Sequence, residues 1–367
     1  MKRGLYIHIP FCKRKCNYCD FASFAGQEQR VDAYLGALEH EVVLYKETGC
    51  NTLYVGGGTP SILNDGQLYR LAKLIRKNFW PVSNFEESTF EANPESITPA
   101  KLRTLRELGF NRLSIGLQSL NDAELKTLGR IHTAAQFLQA YENARASGFE
   151  NINVDLMAGL PGQTADTFTD SLRRVLELGP EHLSVYGLQI EEHTPFFERG
   201  VVCDQALMRI LLEHAHEALT AAGYHHYEIS NYARPGKEAK HNVNYWQYGE
   251  YIGLGSAAAT YRLGKRKQNT PDLEEYIFCM ENGKTPTVFA ERLTGQTKEG
   301  EKLMLALRLL DGVELTERQE EFFGKEIQKH VERGLLAQAD KKVKLTQEGL
   351  YLANEVFRSF VAPFENV

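Results

Sequence analysis

Short runs of apolar and β-branched residues alternate with helix-patterned stretches along the first half of this 367-residue chain. Each run is long enough for one buried strand, and four helical stretches are followed by a glycine, where helices commonly end. Strands and helices that alternate at this length predict an α/β fold with a parallel sheet flanked by helices. Six such units favour a partial (β/α)6 barrel of the TIM type. The predicted strands are residues 5–9, 52–55, 89–92, 112–117, 152–157 and 182–188, and the glycines are Gly109, Gly148, Gly179 and Gly223.

The character of the sequence changes after Gly223. Six Tyr, one Trp and three His fall within residues 224–251, and helix-patterned sequence returns near residue 295. We therefore expect a barrel over residues 1–223 and an aromatic-rich extension packed on that barrel over residues 224–294. A C-terminal helical, winged-helix-like domain is expected over residues 295–367.

Charge and cysteine distribution restrict the partners and the compartment. The chain carries 42 Lys and Arg against 48 Asp and Glu, a formal net charge of −6, so no nucleic-acid partner is expected. The amino-terminal apolar stretch contains His8 and stops at Pro10, which is too short for a secretion signal or a membrane span. We expect a cytoplasmic protein in which Cys50, Cys203 and Cys279 are small buried side chains.

The other three cysteines lie on one predicted loop directly after the first strand. Cys12, Cys16 and Cys19 have the spacing C-x3-C-x2-C. Three thiolates on one loop can bind three irons of a [4Fe–4S] cluster and leave the fourth iron open to a ligand. A zinc site completed by His8 is the alternative, although structural zinc more often uses two separated cysteine pairs.

Three successive glycines follow the second predicted strand, in the segment YVGGGTPSIL. Glycine lets the backbone approach a ligand closely, and we expect the amide N–H groups of this turn to be free to bind a carboxylate. The segment lacks the lysine of a phosphate-binding P-loop. A tight turn between strand and helix, without a ligand, is the other interpretation.

The two motifs together, on the first two predicted strands, resemble the radical S-adenosylmethionine (SAM) superfamily. Five further segments look like successive strand ends of the oxygen-independent coproporphyrinogen III oxidase family, so the resemblance spans most of the chain. It implies a barrel of the radical SAM type and a [4Fe–4S] cluster whose open iron binds the amino and carboxylate groups of SAM. The segments are FEANPES, RLSIGLQSLND, LKTLGRIHT, INVDLMAGLPGQT and HLSVYGLQIEEHTPF.

The resemblance also implies which side chains contact SAM. Side chains at the carboxyl ends of parallel strands face the mouth of a barrel, which agrees with most of this set. Single members keep other interpretations: Glu91 and Asp155 as helix caps or surface charges, Arg130 as a solvated helix charge, Gln118 as a loop cap. The implied contacts are Tyr6 and Tyr18 against SAM and the cluster, Gly57, Gly58 and Thr59 at its amino-acid end, and Glu91, Gln118, Arg130 and Asp155 on its polar groups.

Within this family the chain resembles heme chaperones more than oxidases. The oxidases carry a fourth cysteine two residues after the third, where this chain has Phe21, and a long extension before the cysteine loop. The segment HNVNYW, residues 241–246, matches the HNxxYW pattern that the heme chaperones share. We therefore expect a heme chaperone without coproporphyrinogen oxidase activity; an oxidase, or a radical SAM enzyme with another substrate, is the alternative.

The heme chaperone prediction brings its own ligand and partners. An imidazole is a good heme-iron ligand and aromatic rings pack on a porphyrin face, so we expect His241, Tyr245 and Trp246 to hold heme. His225 and His226 lie in the same aromatic segment and could ligate the iron instead. The expected partners are heme and recipient hemoproteins of the respiratory chain, with peripheral membrane contact through those recipients.

Overall fold

The computed structural model describes residues 2–45 and 48–362. Its largest element is a mixed sheet in which six parallel strands follow the chain in order, each at a position that the sequence predicts, with ends shifted by one or two residues. The α/β prediction is therefore confirmed. The strands are β1 (Arg3–Ile9), β2 (Thr52–Gly57), β3 (Glu87–Ala92), β4 (Arg112–Gln118), β5 (Ile152–Ala158) and β6 (His182–Gly187).

Helices connect these strands, and local sequence signals fix their ends. Thr98 caps one helix by accepting the Lys101 backbone N–H, and Pro99 occupies the first helical position. The four glycines predicted after helices all have positive φ, between +64° and +102°. The helices are α1 (Val31–Val42), α2 (Asp65–Asn78), α3 (Pro99–Leu108), α4 (Asp122–Thr127), α5 (Ala134–Ala146), α6 (Ala165–Leu178), α7 (Pro195–Glu198) and α8 (Gln205–Ala221).

Alternation along each strand separates an apolar outer face from a polar interior. In β1, Leu5, Ile7 and Ile9 are fully buried in the main hydrophobic core, whereas Tyr6 and His8 lie on the opposite face of the strand. The interior faces of the other parallel strands also carry polar residues, including Tyr54, Glu91 and Asp155. The barrel interior is therefore polar. A polar interior suits a ligand-binding cavity, whereas a packed core would be apolar.

Residues 224–292 join the sheet at both of its edges, which the sequence did not predict. β7 (His225–Glu228) and β8 (Asn231–Ala233) form an antiparallel hairpin beside β6. β9 (Glu250–Leu254) pairs with β1 in parallel, as a seventh parallel strand. The rest of this segment comprises α9 (Lys240–Trp246), β10 (Ala259–Arg262), β11 (Lys265–Asn269), α10 (Leu273–Glu281) and β12 (Thr287–Arg292).

The C-terminal residues form a second hydrophobic core of their own, built around Leu303, Phe323, Ile327 and Val356. A three-stranded antiparallel sheet and helices surround it, which is the winged-helix-like arrangement that the sequence predicts. No helix in the described part of the chain is both long enough and apolar enough to span a bilayer. The elements are α11 (Gly295–Ala306), β13 (Val313–Glu314), α12 (Glu317–Glu332), β14 (Leu336–Ala339), β15 (Lys342–Leu345), α13 (Gln347–Tyr351) and α14 (Ala353–Arg358).

Candidate functional site

A cavity of about 890 Å³ opens at the carboxyl ends of the parallel strands. This is the end at which α/β barrels and open sheets bind ligands. Tyr6 lies deeper in the barrel, with its hydroxyl bonded to His8. The cavity brings together most of the residues that the family resemblance implies: Cys12, Cys16, Tyr18, Cys19, Gly57, Gly58, Thr59, Glu91, Gln118, Arg130 and Asp155.

Asn17 docks the cysteine loop on the carboxyl end of α4. Its backbone N–H donates to Leu128 O at 2.9 Å, and its side-chain amide donates to Thr127 O at 2.8 Å. Gly129 comes next with φ +77°, and a Cβ at that position would lie 3.1 Å from the Asn17 side chain. The loop therefore depends on glycine at the point where it meets the helix.

The thiols have specific hydrogen-bond donors. Cys12 is 8% exposed, and its sulfur accepts a hydrogen bond from the Thr59 hydroxyl at 3.4 Å. The Cys16 sulfur accepts one from the Arg130 guanidinium at 3.7 Å. Burial raises the pKa of Cys12, and it raises the pKa of Cys19 to about 11, so metal binding must displace protons from these groups. Donors beside the sulfurs and a shared cavity fit the thiolate ligands of an iron–sulfur cluster.

His8 is poorly placed to complete a zinc site. Its Nε2 lies 2.8 Å from Ala22 O, and because a carbonyl can only accept, Nε2 carries the proton. Nδ1 then accepts from the Tyr6 hydroxyl at 2.8 Å, which uses the remaining lone pair. Among the described residues no three His, Cys, Asp or Glu side chains converge on a point suited to one ion. A cluster makes no such demand, because each thiolate binds a different iron atom.

The glycine turn after β2 packs too closely for any side chain. Gly57 has φ +117°, and a Cβ there would lie 2.6 Å from the His8 ring. At Gly58 a Cβ would lie 2.8 Å from Phe11 O and 2.9 Å from the Cys12 sulfur. The turn is therefore fixed against the cysteine loop, and only glycine fits.

The prediction that the amides of this turn are free for a carboxylate is wrong. Gly57 N–H donates to the Glu91 carboxylate at 3.1 Å, Gly58 N–H to Ile9 O at 2.9 Å, and Thr59 N–H to Phe11 O at 2.8 Å. Buried backbone donors are almost always paired, and here tertiary contacts pair them. The turn thus lines the cavity, and its amides serve to hold the two loops together.

Two carboxylates, on β3 and β5 at either side of β4, face the cavity. Glu91 accepts from the Tyr54 hydroxyl at 2.5 Å as well as from Gly57, and burial raises its pKa to about 7. Asp155 accepts from the Asn153 side chain at 2.7 Å, and burial raises its pKa too. Both lie within strands, so the cap and surface-charge interpretations do not apply. Carboxylates whose pKa is raised by desolvation favour a cation brought into the same cavity.

Arg130 and Gln118 are held by their neighbours. The Arg130 guanidinium donates to the Asn93 side chain at 2.8 Å and to Gly116 O, in addition to Cys16. Gln118 has φ +74°, unusual for a residue other than glycine, and its side-chain oxygen accepts from the Tyr186 hydroxyl at 2.9 Å. Arg130 is therefore no solvated charge, and Gln118 sits in a strained conformation of the kind found at binding sites.

The HNVNYW segment lies at the opposite end of the barrel from the cysteines. It forms α9, and the backbone N–H groups of Lys240 and His241 donate to Glu87 at the start of β3, at 2.9 and 3.0 Å. Strands of about seven residues separate this end from the cysteine loop, which is about 20 Å at roughly 3.3 Å per residue. The structure does not bring the segment into the cavity.

The His241 side chain is enclosed and fully hydrogen-bonded. It is 1% exposed, with Nδ1 at 2.9 Å from the Thr52 hydroxyl and Nε2 at 2.8 Å from the Tyr245 hydroxyl. Burial lowers its pKa to about 3. Trp246 packs under the Arg308 guanidinium, 4.3 Å from its ring centroid. Heme binding by this segment stays a prediction, and ligation by His241 requires that these hydrogen bonds break.

The other two candidate histidines differ in position. The His225 side chain is 45% exposed and lies 3.9 Å from Glu238 and 3.7 Å from Asp311. His226 is 8% exposed and lines the outer part of the large cavity. There it meets His216 of α8, with 3.1 Å between their Nδ1 atoms.

Several site residues were missed by the sequence reading. Tyr54, Asn93 and Asn153 hold Glu91, Arg130 and Asp155, respectively. Tyr54 could have been found, because Thr52, Tyr54 and Gly56 are spaced by two along β2 and therefore share its interior face. His216 gives no such signal, since one histidine on a helix has no pattern that separates it from a surface residue.

Three thiols on the loop after the first strand, beside a glycine turn at the end of the second, form the arrangement that the resemblance to radical SAM proteins implies. Residues 6–175 match the Radical SAM superfamily, and residues 293–352 match the HemN C-terminal domain. The structure is similar to coproporphyrinogen III oxidase (HemN) from Escherichia coli, described as a radical SAM enzyme, with a TM-score of 0.86 and 26% identity. That likeness covers 98% of this chain and 90% of the other.

Curated relatives define the family more closely. The chain is 37% identical to the heme chaperone HemW of Bacillus subtilis over 375 residues, covering 98% of this chain and 99% of the relative. It is 41% identical to the heme chaperone HemW of Escherichia coli over 262 residues, covering 70% and 69%. The chain therefore belongs to the HemW family of the radical SAM superfamily.

Proposed function

We propose that this chain is a heme chaperone: it binds a [4Fe–4S] cluster and SAM at the barrel mouth, takes up heme, and passes it to hemoproteins of the respiratory chain. The observation that carries the proposal is its similarity, over nearly its whole length, to proteins curated as heme chaperones. Phe21 supports it, because this residue lines the cavity where a fourth cysteine would stand in the oxidases.

Cys12, Cys16 and Cys19 would hold the cluster, which supplies electrons and one open iron when bound. Thr59 and Arg130 would donate hydrogen bonds to its thiolates. Gly57 and Gly58 would let the amino-acid end of SAM approach the backbone. Tyr18 and Gln118 would contact the rest of SAM, and Tyr6 would lie deeper in the barrel below SAM.

Glu91 and Asp155 would bind the positive charges of SAM. Burial favours the protonated form of both carboxyl groups in the free protein, and a cation in the cavity favours the ionised form. Proton release from the Glu91 carboxyl, whose pKa burial raises to about 7, would accompany SAM binding. The HNVNYW segment would support heme binding indirectly, because Trp246 packs on Arg308 and Arg308 lines the outer part of the cavity.

A coproporphyrinogen oxidase is the second candidate, and the structural likeness to HemN favours it. One assay on anaerobically reconstituted protein separates the two functions. Hemin is titrated while the Soret band is followed, and coproporphyrinogen turnover is measured with SAM and a reductant. Saturable hemin binding without turnover supports the chaperone; turnover at the rate of an authentic oxidase contradicts it.

Delivery is tested with the heme-loaded protein. The protein is mixed with membranes that carry heme-free respiratory enzymes, and heme appearing in the membrane fraction is measured. The Cys12→Ser, Cys16→Ser, Cys19→Ser triple variant is the matched control. If neither protein transfers heme to the membranes, the delivery step is wrong. The proposal has three further parts. The protein acts in the cytoplasm, it contacts the membrane only through its recipients, and it has no nucleic-acid partner.

A further inference from the structure

The large cavity does not end at the predicted SAM site. It continues along α8 into an outer arm lined by Leu212, His216, His226, Ile229, Tyr232, Arg308 and residues 350–353. Met208, Leu212 and His216 are spaced by four, so they share one face of α8. Eight residues of helix at about 1.5 Å each place His216 about 12 Å beyond Met208, which packs against the barrel mouth at Gly187.

Hydrogen bonds fix the tautomer of both histidines in the outer arm. His226 Nε2 lies 3.2 Å from Ile229 O, and because a carbonyl can only accept, Nε2 carries the proton. Burial lowers the pKa of His226 to about 4, so the ring is neutral near pH 7 and Nδ1 has a lone pair. His216 Nδ1, 3.1 Å away, must therefore donate to it.

In the neutral ring, this leaves a lone pair on Nε2 of His216, a residue that lines the cavity. Among the described residues no side chain or backbone group hydrogen-bonds to it. A ring that donates from one nitrogen and presents the other is the form in which histidine binds metals, because the donated bond orients the ring and raises its basicity. Tyr232 stacks on His226 at 4.0 Å and 15° between planes, which holds the second ring in place.

The other histidines lack a free lone pair in this cavity. His226 uses both nitrogens, with Ile229 and His216. His241 also uses both, with Thr52 and Tyr245, at the far end of the barrel. His225 lies on the outside of the hairpin beside two carboxylates.

The walls of the outer arm suit a flat apolar ring with acidic substituents. Leu212, Ile229, Tyr232 and the side chains of Leu350 and Tyr351 supply apolar surface. Arg308 is a cation at the wall: its Nη2 lies 3.6 Å from the buried Glu228 carboxylate, and its Nε is buried without a hydrogen-bond partner. A volume of about 890 Å³ lies near the top of the roughly 300–1,000 Å³ range of ligand sites, which leaves space beyond SAM.

We propose that heme binds in the outer arm, with His216 Nε2 as the iron ligand and Arg308 facing the heme carboxylates. The inference rests on the proposed function, since it names the site of the heme that the chaperone carries. His226 is then a positioning residue that orients His216, and α13 of the C-terminal domain forms one wall of the site.

The test is a hemin titration of reconstituted protein, followed by the Soret and visible bands. His216→Ala should lose the histidine-ligated spectrum and most of its affinity, and free imidazole should restore the spectrum. His226→Leu, which removes only the orienting partner, should weaken affinity by about 10–100-fold. His214→Ala is the matched control, because His214 lies on the same helix and lines a different surface depression.

Each outcome separates the inference from the function on which it rests. Wild-type protein that fails to bind hemin overturns the heme chaperone and the site together. Wild-type binding with an unchanged His216→Ala spectrum overturns the site alone. All variants must match wild type in iron content and thermal unfolding. His216→Tyr keeps a ligand at this position, so its visible bands should shift to those of an oxygen-ligated heme.

Discussion

Arg130 donates a hydrogen bond from Nη1 to the Cys16 sulfur at 3.7 Å, which joins the chain after α4 to the cysteine loop. The same guanidinium also binds Asn93 and Gly116 O, so its position is set on three sides. Arg130→Lys keeps the charge and loses this geometry. We expect cluster affinity to fall by about 10–100-fold, measured as iron retained against a chelator. Lys126→Met, an exposed change on α4, should retain iron like wild type.

The three cysteines give the most direct prediction. Cys12→Ser, Cys16→Ser or Cys19→Ser should each remove most of the iron, because a hydroxyl is a poor replacement for a thiolate ligand. Iron and sulfide per chain and the visible spectrum after reconstitution are the measurements. Cys50→Ser is the control, since Cys50 is buried elsewhere in the core. An unchanged spectrum in the triple variant would falsify the cluster assignment.

Gly57→Val should abolish SAM binding, and Gly57→Ala should weaken it. A Cβ at this position would lie 2.6 Å from the His8 ring and needs φ +117°, so the turn and His8 would have to move apart. Calorimetry on reconstituted protein should show affinity lower by at least about tenfold, or about 1.4 kcal/mol. Gly66→Ala, in the first turn of α2, leaves the cavity untouched and serves as control. Unaltered affinity in the Gly57 variants would remove the turn from the site.

The strands were predictable because each combines a short apolar run with alternation, and these depend only on local sequence. The Leu5, Ile7 and Ile9 face of β1 shows this. β9 was not predictable in the same way, because its five residues contain a glycine and pair with β1 nearly 250 positions away. The amides of the glycine turn show the same limit, since Glu91 pairs one of them from the next strand.

The residues that line the cavity mouth were predictable through family motifs, and the surroundings of the candidate heme ligands were not. Glu91 and Asp155 sit in recognisable segments near strand ends, Arg130 sits in one after α4, and all three line the cavity. The environment of His241 depends on how α9 packs beneath the barrel, which the HNVNYW pattern does not encode. His216 becomes notable only through its contact with His226 on a separate element.

SAM binding should depend on pH through Glu91. In the free protein its pKa is about 7, against an ordinary value near 4.5, because burial disfavours the ionised form. The stability that this carboxyl contributes is therefore fully present below about pH 4.5 and is lost as the pH rises through about 7. A cation bound beside Glu91 favours the ionised form of this carboxyl instead. SAM affinity should rise with pH up to about 7 and then level off, by at most about tenfold per pH unit.

Glu91→Gln tests this assignment, because the amide keeps the shape of the side chain and does not titrate. Calorimetry at pH 6 and pH 8 should show weaker SAM binding than wild type, with the pH dependence reduced. An identical pH profile in Glu91→Gln and wild type would contradict the role of Glu91.

Substitution of His241 should change the free energy of unfolding and its dependence on pH. Its pKa falls to about 3 in the folded chain from an ordinary value near 6.5. Below about pH 6.5 the imidazole therefore binds a proton in the unfolded chain and stays neutral in the folded chain. The stability from neutral His241 is present above about pH 6.5 and lost as the pH falls toward 3, by up to about 1.4 kcal/mol per pH unit. Urea unfolding at pH 8 and pH 5.5 should therefore show a smaller loss on acidification in His241→Gln than in wild type.

His241→Ala should cost more than the glutamine variant at pH 8, because it leaves the Thr52 and Tyr245 hydroxyls without their partner. Each unpaired buried group costs about 1–3 kcal/mol, whereas His225→Ala, at an exposed site, should stay within about 0.5 kcal/mol of wild type. Hemin titration of the same folded variants then decides the ligand. Loss of the Soret signature confined to His241→Ala would make His241 the heme ligand, as the HNVNYW pattern predicts, and would exclude His216. A wild-type spectrum in His241→Ala, with loss in His216→Ala, would assign the HNVNYW segment to the structure of the barrel and the outer arm to heme.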